Sequence, residues 1–197
     1  MKVGIFGGSF DPIHNGHIRL AQYVLDHTDL DEVWLMVSPL NPLKPQGYVA
    51  TDGQRLEMAR LAVSDIPGIH VSDFEFTLPI PSYTYNTLTK LKETYPGIDF
   101  RLIIGGDNWS SFYRWRNPQK ILEEFGIIVY PRPGEEIPDP PAGVFILNGA
   151  PQMQISSTSI RNLLSSAPGI TPSSRNFLQH SLPPKVKSYI TTHHLYE

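Results

Sequence analysis

The stretch that decides the fold is Gly7-Gly8-Ser9-Phe10-Asp11-Pro12-Ile13-His14-Asn15-Gly16-His17. It follows a short apolar run, Val3 to Phe6, and precedes a segment of helical periodicity that begins at Ile18. The glycines let the backbone turn sharply and approach a ligand without a Cβ in the way. Free N–H groups at the start of a helix favour an anion, because the helix dipole is positive there. The order strand, glycine turn, helix therefore predicts an anion site.

Two histidines mark the start of that helix. His14 and His17 are three residues apart, so their rings lie about one helical turn from each other. An imidazole, neutral or charged, can donate a hydrogen bond to a phosphate oxygen. The pair is typical of a polyphosphate site. The alternative is that both rings only satisfy local carbonyl groups.

A second buried strand, Glu32 to Val37, completes a strand–helix–strand unit within the first forty residues. Such a unit implies a parallel sheet with a right-handed crossover. The whole chain predicts an α/β fold, a Rossmann-like doubly wound parallel sheet of five to six strands with helices on both faces. We expect one domain over residues 1–197. Further strands are predicted over 69–71, 100–104, 125–130 and 144–147, an alternating extended piece over 74–78, and helices over 52–63, 85–94 and 117–124.

Composition limits the classes of function. The chain has 197 residues, of which 40% are hydrophobic and 18% charged, and its net charge is −3. This balance, without a cluster of basic residues, argues against nucleic acid or an anionic membrane as partner. The absence of cysteine excludes disulfides, thiolate metal sites and a cysteine nucleophile. No apolar stretch is long enough for a signal peptide or a membrane span, so a cytoplasmic protein is expected.

Two further polar positions follow predicted strands. Lys44 lies in a proline-punctuated loop after the second strand, at the edge where open α/β sheets bind ligands. Gly105 and Asp107 follow the strand over 100–104, and an acid at this position can accept hydrogen bonds from ribose hydroxyls. The alternatives are a solvated lysine and an aspartate that only caps the next helix.

A hydroxyl-rich segment, Ile155 to Arg161, precedes another helix. The hydroxyls of Ser156, Ser157 and Thr158 can cap that helix, and with backbone N–H groups they also form an anion nest. Arg161, one turn into the helix, can direct a forked donor at phosphate. A role limited to capping is the alternative.

The motifs together resemble the nucleotidylyltransferase superfamily that shares the His-x-Gly-His motif, and among its members the bacterial nicotinate-mononucleotide adenylyltransferases. The matching pieces are the glycine–histidine stretch, Pro-Ser-Tyr-Thr over 81–84, Gly-x-Asp over 105–107, Trp115, Arg-Pro-Gly over 132–134 and Ile-Ser-x-Thr-x-x-Arg over 155–161. The C-terminal residues 182–196, with Leu-Pro-Pro-Lys-Val over 182–186 and Leu-Tyr at 195–196, also resemble the end of these proteins. The matches occur in the expected order from residue 3 to residue 196. The resemblance implies an enzyme of NAD biosynthesis that transfers the AMP moiety of ATP to nicotinate mononucleotide. The products would be deamido-NAD and pyrophosphate, with nicotinamide mononucleotide a poorer acceptor.

The resemblance also implies roles for individual residues. The backbone amide of Thr84 would hold the nicotinate carboxylate, and Trp115 would stack on the pyridine ring. Relatives commonly carry tyrosine where this chain has Arg116, and histidine where it has Leu43. A side-chain contact from Arg116 would favour a carboxylate over an amide. The residues assigned to ATP binding are Gly8, Ser9, Phe10, Gly105, Asp107, Arg132, Ser156, Ser157 and Thr158, and those assigned to catalysis are His14, His17, Lys44 and Arg161.

Mg²⁺ is the expected cofactor, held through the substrate phosphates, because no carboxylate cluster forms a dedicated metal site. Competing hypotheses are a sibling transferase for phosphopantetheine or glycerol phosphate, a nucleotide-binding sensor without turnover, and a fragment of a class I aminoacyl-tRNA synthetase. The preference between nicotinate and nicotinamide mononucleotide is left open, and so is a homo-oligomeric state.

Overall fold

Six parallel strands form one sheet in the order β3-β2-β1-β4-β5-β6. The structure, a computed structural model, describes residues 1–39, 50–131, 137, 139–151, 154–166 and 171–197. Its strands are β1 Lys2–Gly8, β2 Glu32–Val37, β3 Ile69–Ser72, β4 Asp99–Gly105, β5 Ile127–Tyr130 and β6 Val144–Ile146. The predicted Rossmann-like α/β fold is thereby confirmed.

Helices cover both faces of this sheet, as predicted. They are α1 Asn15–His27, α2 Asp52–Val63, α3 Thr84–Thr94, α4 Gly106–Ser111, α5 Pro118–Glu124, α6 Ser157–Leu164, α7 Pro172–Ser181 and α8 Pro184–Thr192. The apolar core divides into two clusters. One contains side chains from α1, α2, α6, α7 and α8, and the other contains side chains from α3 and α5. The strands contribute side chains to both clusters, because successive side chains of a strand point to opposite faces of the sheet.

The strand order reverses direction at β1. β1 pairs with β2 on one side and with β4 on the other, and the chain crosses over in opposite directions from there. Ligands of open α/β sheets bind at such a switch point, beyond the carboxyl ends of the strands. Gly8 ends β1, Val37 ends β2 and Gly105 ends β4, so the predicted motifs gather at this edge.

Local sequence accounts for the helix that follows β1. His14 is the N-cap residue, with extended backbone at φ −144° and ψ 169°, and α1 begins at Asn15. Ile18, Ala21 and Val24 are buried at helical spacing. The predicted N-terminus of α2 is also present, since Thr51 caps it and accepts a hydrogen bond from the N–H of Gln54.

Two segments differ from the sequence prediction. The piece predicted as extended is a 3₁₀ helix, Phe74–Thr77, in which the N–H of Phe76 donates to the carbonyl of Asp73 at 2.9 Å. Alternation over five residues is too short to separate the two conformations. The helix α7 was not predicted; Thr171 caps it, and only Leu178 and Ser181 are buried along it, so its apolar periodicity is weak.

Three of the residues named above, Leu43, Lys44 and Arg132, lie outside the described residues. Within the described part of the chain, no helix is long and apolar enough to cross a membrane.

Candidate active site

A cavity of about 720 Å³ opens at the switch point between β1 and β4. Its walls come from the ends of β1 and β2, the N-terminal part of α3, and the segment after α4. Among the predicted site residues, it is lined by Gly8, Ser9, Thr84, Trp115 and Arg116. The structure thus brings together the glycine turn and all three residues assigned to the mononucleotide.

Phe6, which lines this cavity, packs edge-on against His17 with ring centroids 6.1 Å apart. The two histidines are not themselves among the lining residues, and they contact each other directly. Their rings stack with centroids 3.7 Å apart and an interplanar angle of 21°. The backbone N–H of His14 donates to Nδ1 of His17 at 3.2 Å, so Nδ1 acts as the acceptor and Nε2 carries the proton in the neutral ring. The ring of Phe10 packs edge-on against His17 with centroids 5.0 Å apart. His17 therefore presents an N–H donor in a fixed direction.

Burial keeps both imidazoles uncharged at neutral pH. It lowers the pKa of His14 from 6.5 to about 4, against a backbone hydrogen bond that raises it. Burial also lowers the pKa of His17 well below its ordinary value, and a charge on His14 would lower it further. Nδ1 of His14 is buried and has no hydrogen-bond partner among the described residues. A polyanion bound here would raise both pKa values, because an opposite charge favours the protonated form.

The hydroxyl-rich segment docks onto the loop that carries the histidines. The hydroxyl of Ser157 donates to the carbonyl of Pro12 at 2.9 Å. Nη1 of Arg161 donates to the carbonyl of Asp11 at 2.6 Å, and Nη2 donates to Oγ1 of Thr158 at 3.3 Å. The two motifs that were predicted to share one ligand therefore meet in space.

One hydroxyl of the hydroxyl-rich segment caps the helix α6. Ser156 is the N-cap of α6 and accepts a hydrogen bond from the N–H of Ser159 at 3.1 Å. Ser156 and Thr158 remain exposed at the start of the helix. The proposed contact with phosphate and the capping role are therefore compatible at this position, since the helix N-terminus itself attracts an anion.

A buried polar cluster that the sequence did not reveal supports the histidine loop. Asp11, 2% exposed, accepts hydrogen bonds at Oδ1 from the hydroxyl of Tyr196 at 2.7 Å and from the N–H of Ala50 at 3.3 Å. Arg55 is fully buried, and its Nη1 donates to the carbonyls of Ser9 at 2.6 Å and Ser38 at 2.9 Å. No local pattern identifies this cluster, because its members are far apart in sequence.

Aromatic and cationic side chains line the other end of the cavity. Trp115 is partly buried and packs against Phe112, with ring centroids 5.6 Å apart. The guanidinium carbon of Arg116 lies 4.8 Å from the ring centroid of Tyr83. Tyr83 is the N-cap residue of α3, and its side chain makes no capping hydrogen bond. The N-terminus of α3 therefore faces the cavity beside a tryptophan and an arginine.

One acid in this cavity was missed by the sequence prediction. Glu75, 9% exposed, lines the cavity and accepts a hydrogen bond from Oγ1 of Thr87 at 2.9 Å. Burial raises the pKa of its carboxyl group, although hydrogen bonds from Ser38 and Thr87 oppose the shift. The sequence prediction placed this residue in an extended piece and gave it no role in the site.

The remaining predicted positions lie at the ends of β1 and β4. A Cβ added at Gly8 would lie 2.8 Å from the ring of Phe10, so only glycine fits beside this aromatic side chain. Phe10 is itself only 1% exposed, so its ring is part of the core and offers a ligand no surface. A Cβ at Gly105 would lie 2.7 Å from Oδ1 of Asp107. Gly105, not Asp107, is the N-cap of α4, and Asp107 is exposed in its first turn.

Comparison with known proteins agrees with this geometry. The model of the cytidylyltransferase-like family matches residues 5–163. A protein of Bacteroides thetaiotaomicron named as a probable nicotinate-nucleotide adenylyltransferase is 45% identical over 192 residues, which cover 96% of this chain and 91% of that protein. A protein of Flavobacterium johnsoniae with the same name is 42% identical over the full length of both chains.

A solved structure shares the fold. The nicotinic acid mononucleotide adenylyltransferase of Plasmodium falciparum, solved as a complex with NaAD, superposes with a TM-score of 0.77 at 21% sequence identity. The superposition covers 99% of this chain and 97% of the other. At this identity the likeness is one of architecture.

Proposed function

The chain belongs to the cytidylyltransferase-like family and, within it, to the nicotinate-nucleotide adenylyltransferases, and we propose that it transfers the AMP moiety of ATP to the phosphate of nicotinate mononucleotide. The observation that carries this proposal is the docking of the Ser157 hydroxyl on Pro12, two residues before His14. It joins the two phosphate-binding motifs beside a cavity large enough for a mononucleotide.

The chemistry needs no protein nucleophile. An oxygen of the mononucleotide phosphate attacks the α-phosphorus of ATP in line and forms the new P–O bond. The bond from the α-phosphorus to the oxygen bridging to the β-phosphate breaks, and pyrophosphate leaves with that electron pair. Because the attacking phosphate is already an anion, catalysis depends on positioning and on stabilising the charge of the phosphate oxygens.

The two motifs divide this work between them. His14 and His17, together with Lys44, donate to the α- and β-phosphate oxygens. The start of α6 and Arg161 bind the β- and γ-phosphates that leave as pyrophosphate. His17 suits this role because its Nδ1 is occupied by the His14 N–H and its Nε2–H is directed by stacking. A donor already held in place costs no reorganisation during the reaction.

The cavity binds the acceptor. The backbone N–H of Thr84, at the start of α3, binds the pyridine carboxylate, and Trp115 stacks on the ring. Arg116 adds a positive charge at the same rim, held over the ring of Tyr83. The N–H of Thr84 and the charge of Arg116 favour nicotinate over nicotinamide mononucleotide, whereas stacking on Trp115 serves both rings alike.

Asp107 and Arg132 complete the ATP site in this proposal. Asp107, beside Gly105 at the end of β4, accepts hydrogen bonds from the ribose hydroxyls of ATP. Arg132, outside the described residues, is assigned to ATP by the family resemblance alone. The family generally uses a divalent metal. No group of three His, Cys, Asp or Glu side chains suited to a metal occurs among the described residues. Mg²⁺ held through the substrate phosphates would neutralise part of their charge.

One parallel assay tests the proposal. The protein is incubated with ATP and Mg²⁺ and with nicotinate mononucleotide, nicotinamide mononucleotide, phosphopantetheine or glycerol 3-phosphate, and pyrophosphate release is followed. We expect release and formation of deamido-NAD with nicotinate mononucleotide, slower release with the amide, and only background with the other acceptors. Fastest turnover with phosphopantetheine or glycerol phosphate would assign a sibling reaction. ATP binding without any product would indicate a sensor.

A further inference from the structure

We propose that Tyr196 is a positioning residue of the ATP site: its hydroxyl holds the carboxylate of Asp11 so that Arg161 keeps its remaining donors for the triphosphate. The inference rests on the proposed role of Arg161 in binding the leaving phosphates. It assigns a function to the residues that follow α8, which lie at the opposite end of the chain from the histidine loop.

Tyr196 is held firmly at its position. It is 4% exposed, and its hydroxyl donates to Oδ1 of Asp11 at 2.7 Å across 185 residues of chain. Its φ is +69°, in the left-handed region that a bulky residue seldom adopts. Such a conformation persists only where the surrounding contacts determine it. The hydroxyl bond to Asp11 is one of those contacts.

Asp11 links this tyrosine to the arginine of the phosphate site. Oδ2 of Asp11 is 3.8 Å from Nη1 of Arg161, and the same Nη1 donates to the carbonyl of Asp11 at 2.6 Å. The guanidinium therefore holds the loop through the backbone carbonyl, and its ion pair with the carboxylate is a long one. Two residues further on, Ile13 leads into the N-cap His14.

Removal of the tyrosine hydroxyl would change which groups neutralise the carboxylate of Asp11. A buried carboxylate that loses a donor is costly, and a nearby cation is the strongest replacement. Of the two arginines near this pair in the described part of the chain, Arg55 is fully buried, donates to the carbonyls of Ser9 and Ser38, and forms an ion pair with Asp52. The side chain of Arg161 is 28% exposed and can move. We expect it to close onto Asp11 and to offer fewer donors to phosphate.

The variant Tyr196→Phe tests this, because it keeps the buried ring and removes only the hydroxyl. We expect the dissociation constant of a non-hydrolysable ATP analogue, measured by calorimetry, to rise about three- to tenfold, the effect of one lost hydrogen bond. The KM for the mononucleotide should stay within about twofold of wild type, because the acceptor cavity is not involved. Tyr189→Phe, which removes a hydroxyl from α8 nearby, is the matched control and should leave both constants unchanged.

A double-mutant cycle distinguishes positioning from a general loss of structure. In an Arg161→Ala background, Tyr196→Phe should no longer change the affinity for the analogue, since the residue through which it acts is gone. An equal loss in both backgrounds, or no loss in the wild-type background, would overturn the proposal. Because binding is measured without turnover, absence of adenylyl transfer in the wild type would refute the proposed function and leave this test intact.

A second variant covers the case in which Tyr196→Phe does not fold. Asp11→Asn keeps an acceptor for the tyrosine hydroxyl but removes the charge that attracts Arg161. We expect its affinity for the ATP analogue to match or exceed that of wild type. A weakening of more than about threefold would contradict the role given to the Asp11 charge.

Discussion

Nη1 of Arg161 donates to the backbone carbonyl of Asp11 at 2.6 Å, although 150 residues separate the two along the chain. The contact makes the hydroxyl-rich segment and the histidine loop parts of one assembly. A triphosphate bound between them would be contacted from both sides. Changes in one motif should therefore affect ligands of the other.

Replacement of His17 by alanine should lower kcat by roughly 10²-fold or more, the scale of losing one preorganised donor. In the proposed mechanism Nε2–H of His17 donates to the phosphates, and the stacked His14 ring and the hydrogen bond to Nδ1 hold this donor in place. Steady-state pyrophosphate release measures the effect. His27→Ala, in the last turn of the same helix, is the control and should be silent. Turnover like that of wild type in His17→Ala would remove this residue from the mechanism.

His14 should make the protein less stable in acid. Its folded pKa is about 4 and its ordinary value is 6.5, so the unfolded chain binds the proton first as pH falls. Stability present above pH 6.5 is then lost between pH 6.5 and 4, by about 3 kcal/mol from this residue. His14→Asn removes the titration and places a good capping residue at the N-cap.

Urea unfolding at pH 7 and pH 4.5 checks this prediction. The free energy of unfolding of His14→Asn should fall less between the two pH values than that of wild type. Some dependence will remain, because the pKa of His17 is lowered in the same direction. His27→Asn should behave as wild type. An unchanged pH dependence in His14→Asn would contradict the assigned pKa.

Arg116 should influence which mononucleotide is accepted. Its guanidinium lies over Tyr83 at the rim of the cavity, where a pyridine carboxylate would gain a charge-assisted contact that an amide would not. We expect Arg116→Gln to reduce the ratio of kcat/KM for the acid over the amide about tenfold, equivalent to about 1.4 kcal/mol. Lys120→Gln, whose ammonium lies over Tyr85 on the neighbouring helix, is the matched control. A ratio unchanged by Arg116→Gln would assign the selectivity to the backbone of α3.

Glu75 should affect stability in the opposite pH direction. Burial raises its folded pKa, so the folded protein holds the proton more tightly than the unfolded chain does. The stability this gives is present at low pH and lost as pH rises through the folded pKa. Glu75→Gln keeps the size and carries no charge, so its melting temperature relative to wild type should be higher at pH 8 than at pH 5. Glu57→Gln on α2 is the control. If the melting temperature of Glu75→Gln differed from that of wild type equally at both pH values, the pKa of Glu75 would not be raised in the folded protein.

Local patterns were enough to predict much of the fold. The bounds of β2 and α2 agree with the prediction because a β-branched run and a Thr51–Gln54 capping pair are complete within a few residues. Parallel pairing follows from the strand–helix–strand order, and the switch point places the glycine turn beside α3. Trp115 and Thr84 line the same cavity, since both lie at the carboxyl edge of the sheet.

Contacts over long sequence separations were not predictable in this way. The sequence around Arg55 gives no sign that this side chain is buried. Its burial depends on the carbonyls of Ser9 and Ser38, which accept its hydrogen bonds and lie in distant parts of the sequence. The bond between Tyr196 and Asp11 depends on how α8 packs against α2. Glu75 was missed because five alternating residues do not distinguish a strand from a 3₁₀ turn.

The central claim is that both motifs bind one triphosphate, and a crystal structure with a non-hydrolysable ATP analogue and Mg²⁺ tests it most directly. We expect α- and β-phosphate oxygens within about 3 Å of the imidazoles of His14 and His17, and the terminal phosphates at the same distance from the start of α6 and from Arg161. An analogue whose phosphates touch only one of the two motifs, or bind in a separate cavity, would contradict it.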